Sequence, residues 1–308
     1  MNHYLPISLL ASTALLLCSC SDESRTAEEF LPTSAIRFSP SLLEEESGRG
    51  TVTDNTLLHT GGFGVMGYLH TTGTTPDYAT PNFMNGEHVS YTDSEWTYSP
   101  LKYWPTGSTD CIDFLAYAPY GDSHISVSGN ILTFTIDNDP MKQVDLVVAA
   151  PIKDASRSNH PTGIAFSFSH LLARIQFTAR CTDETNDLKI TSLTLKVTSH
   201  NVGTVNLAAD TPILTGSGTA TELSYTLTNG THFTHEAIAP TTGEPTLLSD
   251  ETKGCLLLLP TSNAPTLEIH YTCGGTSYTA NTTLNENTLQ AGKSTTLNLQ
   301  ITPPAHTP

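Results

Sequence analysis

Basic residues are scarce in this chain of 308 residues. Lysine and arginine together number 13, against 30 aspartates and glutamates, and the formal net charge is −17. Because phosphate binding needs concentrated positive charge, this composition argues against a nucleic-acid partner. The negative charge also opposes adsorption to anionic lipid, so we expect any membrane link to be covalent.

Motifs of catalytic and metal sites are also missing. The sequence has no Gly-x-Ser-x-Gly, no His-Glu-x-x-His, no phosphate-binding loop and no dinucleotide-binding glycine pattern. Four of the six cysteines lie beyond the N-terminal region, and none belongs to a Cys-x-x-Cys pair: Cys111, Cys181, Cys255 and Cys273. This spacing argues against the usual zinc sites and favours buried thiols, while a disulfide stays open. We expect no catalytic residue, no cofactor and no metal.

The apolar run from Leu5 to Leu17 is too short to span a bilayer. Its length is that of the apolar core of a secretory signal peptide, although no lysine or arginine precedes it. A buried strand or core helix is the alternative. The sequence therefore predicts export, with residues 1–19 as the signal peptide.

The end of this run resembles the lipobox of bacterial lipoproteins, because it reads Leu17-Cys18-Ser19-Cys20. The resemblance implies that Cys20 carries lipid, including palmitate, and links the protein to the outer membrane. Ser21-Asp22-Glu23 resembles the acidic signal that sends some Gram-negative lipoproteins to the cell surface. We therefore expect a surface-exposed lipoprotein of the outer membrane.

Short apolar segments that alternate with polar residues indicate strands, and threonine is abundant. The length fits two domains, and the polar stretch from Lys153 to Gly163 is the candidate linker. We predict an all-β protein with two antiparallel β-sandwiches in tandem, 50–160 and 161–308. Residues 20–49 would form a lipid tether and a removable first strand.

Two segments show the clearest alternation. The first runs from Gly163 to Phe177. Its apolar residues lie on one face of a strand up to His170 and on the opposite face beyond it, which predicts a bulge or turn near His170. The second is the last strand, Thr295 to Ile301. Its apolar face consists of Leu297, Leu299 and Ile301.

Aromatic residues are densest between Trp96 and Tyr120. Aromatic rings this close in sequence could form a platform for a ligand. Such rings dominate the energetics of cores, however, so we predict that they fill the space between two packed sheets.

This region also resembles the N-terminal domain of the fimbrillin family of type V pilins. The motif is Trp96-x-Tyr98-x-Pro100-x-x-Tyr103-Trp104-Pro105, followed by Asp113-Phe114-Leu115-Ala116-Tyr117-Ala118-Pro119-Tyr120. Two more segments resemble the junction of the family's domains: Val144 to Ala149 and Phe166 to Phe177. The segment from Leu289 to Leu299 resembles its C-terminal strand.

The resemblance implies two transthyretin-like β-sandwiches in a subunit that is exported as a lipoprotein. It further implies cleavage by an arginine-specific protease and assembly with other pilin subunits into a fimbria by strand donation. Ile36 and Phe38 would belong to the displaced first strand. The donor strand would carry the apolar face of the last strand: Leu297, Leu299 and Ile301.

Two arginines are candidates for the cleavage. Arg49 lies between glycines in a polar loop, which exposes it, whereas Arg37 lies inside the proposed first strand. We therefore predict cleavage at Arg49, with Arg37 as the alternative. If no cleavage occurs, the protein would stay on the membrane as an anchor or tip subunit, or as a surface lipoprotein that binds a glycan or a host protein.

Overall fold

Strands dominate the computed structural model, which describes residues 35–43, 54–182, 188–235, 237–238, 244–249 and 255–302. The first ten strands are β1 (Phe38–Leu42), β2 (Phe63–Thr71), β3 (Met84–Thr92), β4 (Glu95–Thr97), β5 (Asp110–Ala118), β6 (Ile125–Ser128), β7 (Ile131–Thr135), β8 (Val147–Ala149), β9 (Ile152–Ala155) and β10 (Ile164–His170). The next ten are β11 (Ala173–Cys181), β12 (Leu188–Ser199), β13 (Val202–Asn206), β14 (Thr215–Gly216), β15 (Thr221–Thr228), β16 (Thr246–Leu247), β17 (Leu256–Leu258), β18 (Thr266–Cys273), β19 (Thr276–Thr283) and β20 (Ser294–Ile301). The predicted all-β class is confirmed.

One short helix, α1 (Asp54–Gly61), precedes β2 and was not predicted. Its Leu58 is fully buried, which fixes the helix against the strands. Gly62 ends it with a left-handed backbone (φ 61°), and the Gly62 N–H donates to the Leu58 carbonyl at 2.8 Å. This is the usual role of glycine after the last helical turn. The described residues also include two 3₁₀ turns: Pro140–Lys142 and Glu286–Thr288.

The strands of the described residues form four sheets. The first sheet has the order β1-β10-β8-β5-β2-β3-β4, with β9 also paired to β5. The second sheet has the order β14-β13-β7-β6. The third sheet is β16-β11-β17 with β20 on β11, and the fourth is β15-β12-β18-β19. Among these strands only β1 with β10 and β20 with β11 pair in parallel; the other pairings are antiparallel.

Each sheet buries apolar faces because side chains alternate along a strand. On β5, Phe114 points to one core together with Phe166 of β10, whereas Leu115 points to a second core shared with Phe134 of the second sheet. The third and fourth sheets enclose a third core, to which β11 contributes Phe177. All three cores are built by residues with almost no solvent exposure.

Strands from both sides of residue 160 share sheets. Ile164–His170 (β10) pairs with β8 in the first sheet, and β13 pairs with β7 in the second. The candidate linker contains part of β9, which pairs with β5. The division into 50–160 and 161–308 stays a prediction.

The junction between β10 and β11 has the form that the sequence predicted. β10 ends at His170, β11 begins at Ala173, and a bend at Leu172 separates them. Leu171 and Leu172 turn into the second core. At the same place, the His170 Nδ1 lies 2.6 Å from an oxygen of Asp145.

Most of the aromatic region belongs to the core, as predicted. Tyr98, Trp104 and Tyr117 are buried, and Trp96 packs against the first core while partly exposed. Tyr103 and Tyr120 are exposed.

Candidate functional site: the first and last strands

The first strand, β1, lies at the outer edge of the first sheet. It runs parallel to β10 in a register that pairs Phe38 with Ile164 and Leu42 with Phe168. Within the described residues, an isolated bridge between Ala35, just before β1, and Tyr103 is the only further strand-type pairing of this segment. β1 is therefore attached to the sheet along one side.

Alternate residues of this segment point into the first core. Ile36 and Phe38 are 1% and 5% exposed, and Leu42 packs against the same core. Arg37, Ser39 and Ser41, which alternate with them, are exposed. This arrangement agrees with the predicted apolar face, and it makes the segment a structural part of the core.

Phe38 is the anchor of the segment because its ring contacts four other aromatic rings. The centroid distances are 5.3 to 6.4 Å, to Phe63, Tyr98, Phe114 and Phe166. Aromatic pairs at such distances contribute about 0.5–1.5 kcal/mol each beyond the burial of area.

Hydrogen bonds hold the backbone of the two residues that directly precede β1. The Ile36 N–H donates to the Lys102 carbonyl (2.9 Å), and the Ile164 N–H donates to the Arg37 carbonyl (2.8 Å). The Tyr98 hydroxyl donates to the Ile36 carbonyl (2.9 Å). Burial raises the pKa of Tyr98, so its hydroxyl stays a neutral donor at physiological pH.

Gly163, directly before β10, allows the close approach of this segment. Its φ is 114°, and a Cβ there would lie 2.7 Å from the Arg37 carbonyl oxygen. Any other residue would collide with the start of the first strand, since Cβ atoms are essentially never found so close to another heavy atom.

The last strand, β20, lies at an edge of the third sheet. It runs parallel to β11, from the pair Ser294–Arg174 to the pair Ile301–Cys181. Leu299 and Ile301 are 9% and 5% exposed, and Leu297 packs against the third core while partly exposed. The predicted alternation of this strand is confirmed.

The two edge strands pair with two consecutive strands of the chain: β1 with β10, and β20 with β11. β1 ends where the Leu43 N–H donates to the Phe168 carbonyl (2.8 Å). β20 begins just after the Gly292 N–H donates to the Leu172 carbonyl (3.1 Å). Both follow β10 and β11 in the same direction, and they are the parallel strands of their sheets.

Of the three residues predicted for cleavage and lipid attachment, the structure describes only Arg37. Arg37 has an exposed side chain and directly precedes β1. Arg49 and Cys20 lie outside the described residues, so both assignments stay predictions. No helix in the described part of the chain is long and apolar enough to cross a membrane.

Sequence reasoning missed the contacts that fix the first strand. Tyr98 belongs to the aromatic motif, but its hydrogen bond to Ile36 spans 62 residues. A histidine, a cysteine and a carboxylate also come together on β2, β5 and β9: His70, Cys111 and Asp154. No spacing in the sequence predicts either contact, because both depend on how distant strands pair.

Comparison with known proteins agrees with the architecture. The sequence matches the family described as Fimbrillin-like over residues 51–308. It is 30% identical to Fimbrium subunit Fim1C of Phocaeicola vulgatus over 188 residues, which are 54% of this chain. These residues span about half (49%) of the length of that curated relative.

Two solved structures share the fold. A fimbrial protein from Bacteroides vulgatus is 23% identical with a TM-score of 0.65, over 87% of this chain and 95% of that one. A candidate cell adhesion protein from Bacteroides uniformis is 16% identical with a TM-score of 0.50, over 87% and 92% of the two chains. Since the family match covers most of the sequence, the chain belongs to the fimbrillin-like family.

Proposed function

We propose that this chain is a structural subunit of a cell-surface fimbria, exported as an outer-membrane lipoprotein through Cys20. It assembles with other subunits by strand exchange after cleavage at Arg49. The observation that carries the proposal is the position of the first strand, which is an edge strand held along one side with Ile36 and Phe38 in the core.

Loss of this strand would leave an incomplete fold. The outer N–H and C=O groups of β10 would lose their partners, and an edge of this kind readily pairs with another strand. Removing Ile36, Phe38 and Leu42 would uncover apolar surface worth about 5–9 kcal/mol, at about 1.5–3 kcal/mol per side chain. Both effects favour capture of a replacement strand.

The last strand has the features of such a replacement. It already pairs in parallel with a neighbour, as β1 does, and it presents apolar residues at every second position: Leu297, Leu299 and Ile301. A strand of this kind, supplied by another subunit, would restore the edge by β-augmentation. Because the donor strand and the groove are different surfaces, the contact does not close on itself and produces a filament.

Cleavage at Arg49 would start the exchange and release the subunit from the membrane. Arg49 stands between Gly48 and Gly50 and follows β1 in sequence. A cut there separates β1 and the lipid on Cys20 from the rest of the chain. Cleavage at Arg37 would leave β1 attached, and the Arg37 backbone is hydrogen-bonded to Ile164.

The test uses the chain without signal peptide and with Cys20→Ser, so that it is soluble without lipid. Treatment with an arginine-specific protease should yield polymers in size-exclusion chromatography and electron microscopy. A synthetic peptide with the sequence of residues 294–301 should inhibit this polymerisation, and the same peptide with Leu299→Asp and Ile301→Asp should not. Stable monomers after complete removal of residues 20–49 would contradict the proposal.

A second function, ligand binding by a surface lipoprotein or tip subunit, is favoured by an exposed aromatic cleft. The ring of Tyr120 stacks on His88 with centroids 4.3 Å apart. Beside it lies a cleft of about 270 Å³, lined among others by Tyr117, Asn85 and Ile125. A glycan library can be screened by tyrosine fluorescence. A glycan that changes the fluorescence of the parent and binds Tyr120→Ala more weakly would support this function. Equal binding by the parent and Tyr120→Ala would oppose it.

A further inference from the structure

Four polar residues of the first sheet form two adjacent cross-strand pairs. Tyr68 of β2 stands opposite Asp113 of β5, and His70 stands opposite Cys111. All four therefore point to the same face of the sheet. Asp154 of β9 joins them from the other side of β5, with a left-handed backbone (φ 52°).

Asp113 is the buried centre of this group. Its side chain is 3% exposed and accepts hydrogen bonds from the His70 Nε2 (2.9 Å), the Asp154 N–H (2.7 Å) and the Tyr78 hydroxyl. The first of these bonds leaves the Nδ1 as the ring nitrogen for a further partner. A carboxylate in this position is the usual orienting group behind a metal-binding histidine.

Three atoms at this place have the chemistry and the spacing of metal ligands. The Cys111 Sγ lies 3.5 Å from each of the two ring nitrogens of His70 and 3.3 Å from the Asp154 Oδ1. Tetrahedral zinc, with bonds of about 2.3 Å to sulfur and about 2.0 Å to nitrogen or oxygen, places such ligands about 3.5 Å apart. One ligand atom from each residue lies within 4.8 Å of the others.

We propose that His70, Cys111 and Asp154 bind one divalent transition-metal ion with the ligand preference of zinc, and that Asp113 positions His70. A water molecule would be the fourth ligand. Imidazole, thiolate and carboxylate together suit zinc better than magnesium or calcium, which prefer oxygen. The His70 Nδ1 also lies 3.1 Å from the Thr71 carbonyl, and the metal would replace this contact.

The same residues contain a Cys–His–Asp sequence of contacts, which also occurs in nucleophilic enzymes. The environment of the thiol opposes that function. Burial is the main cause that raises the pKa of Cys111; a hydrogen bond with the Thr72 side chain lowers it in part, and the carboxylates of Asp154 and Asp113 raise it. A nucleophilic cysteine needs the opposite shift, whereas a bound cation would compensate the carboxylates and deprotonate the thiol.

The site would link β2, β5 and β9 without contributing to strand exchange, so it goes beyond the proposed function. Its residues come from three separate parts of the sequence. Asp154 is exposed, which gives an ion access from solvent, while Cys111 is 1% exposed. Binding to the folded state alone would raise the melting temperature in proportion to the logarithm of metal concentration.

The experiment uses the full-length chain with Cys18→Ser and Cys20→Ser, reduced and freed of metal with a chelator. Titration with Co²⁺ should give one equivalent bound per chain and a thiolate-to-cobalt charge-transfer band. Zn²⁺ should displace Co²⁺ and raise the melting temperature. Cys111→Ser should lose the band. Asp154→Asn should weaken binding at least tenfold, because loss of a group that merely orients a ligand already costs about 10–100-fold in affinity.

Cys255→Ser is the matched control, because it removes a thiol outside the cluster, and it should bind Co²⁺ like the parent. Circular dichroism establishes that each variant is folded. Asp154→Asn keeps an exposed side chain of the same size, so its folding should be unaffected. Absence of one-to-one binding, or an unchanged charge-transfer band in Cys111→Ser, would overturn the proposal.

Discussion

Phe38 of the first strand stacks on Phe166 of the neighbouring strand, with ring centroids 5.7 Å apart and ring planes at 15°. Phe166 is fully buried and belongs to β10. The next strand in the chain is β11, the partner of the last strand. The first strand is therefore joined to the core by an aromatic contact as well as by backbone pairing. This contact can be tested separately from cleavage.

Phe38→Ala should lower the free energy of unfolding of the uncleaved chain by about 3–5 kcal/mol, the usual cost of removing a buried phenylalanine ring. Urea denaturation of the soluble Cys20→Ser form measures it. Leu43→Ala is the control: Leu43 is 51% exposed, and its loss should change stability by less than about 0.5 kcal/mol. Equal effects of the two substitutions would show that the first strand is not part of the core in solution.

Tyr98→Phe should destabilise the uncleaved chain by about 1 kcal/mol, because the Ile36 carbonyl loses its hydroxyl donor. If the first strand is displaced during assembly, the same variant should polymerise faster than the parent after protease treatment. Light scattering after addition of protease follows the rate. Tyr103→Phe, with an exposed ring, should behave like the parent in both measurements.

Arg49→Lys should prevent processing by an arginine-specific protease and leave the chain as a monomer. Arg37→Lys should be processed like the parent, because we assign the cut to Arg49. N-terminal sequencing of the products identifies the cleaved bond, with residue 50 as the expected first residue. A new N-terminus at residue 38 would assign the cleavage to Arg37 and would leave the first strand on the subunit.

Tyr225→Phe should make the chain more resistant to alkali. Burial raises the pKa of Tyr225 from 10.0 to about 12, so the folded state keeps a proton that the unfolded state loses above pH 10. This contribution to stability is complete below pH 10 and is lost as the pH rises toward 12. Urea titrations at neutral pH and at about pH 11 should show a smaller loss of stability for the variant.

Tyr120→Phe is the control for the alkaline experiment, since the Tyr120 ring is exposed. It should lose as much stability as the parent between the two pH values. The same loss in Tyr225→Phe as in the parent would show that ionisation of Tyr225 does not couple to unfolding.

Local patterns in the sequence predicted strands well because alternation depends on neighbouring residues alone. The apolar face of β20 and the change of phase near His170 both follow from the period of a strand. The helix α1 was not predicted because it is only eight residues long and its apolar residues show little helical periodicity. Leu58 of this helix is buried against the strands, and that contact is tertiary.

Pairing between distant strands could not be read from the sequence. The parallel register of β1 on β10 joins residues 126 positions apart, such as Ser39 and Ala165. His70 and Cys111 meet only because β2 and β5 pair in one particular register. Spacing rules for metal and catalytic motifs detect residues that are close in sequence, so they overlook groups assembled across a sheet.

The covalent link between the first strand and the first helix has a thermodynamic consequence. While the chain between β1 and α1 is intact, β1 is a tethered ligand, and tethering gives a ligand a high effective concentration at its site. A cut in this connection turns folding of the edge into bimolecular association, and dilution then favours departure of the peptide. One broken peptide bond would thus change strand binding at the groove from an intramolecular to a bimolecular equilibrium, while every contact around Phe38 stays the same.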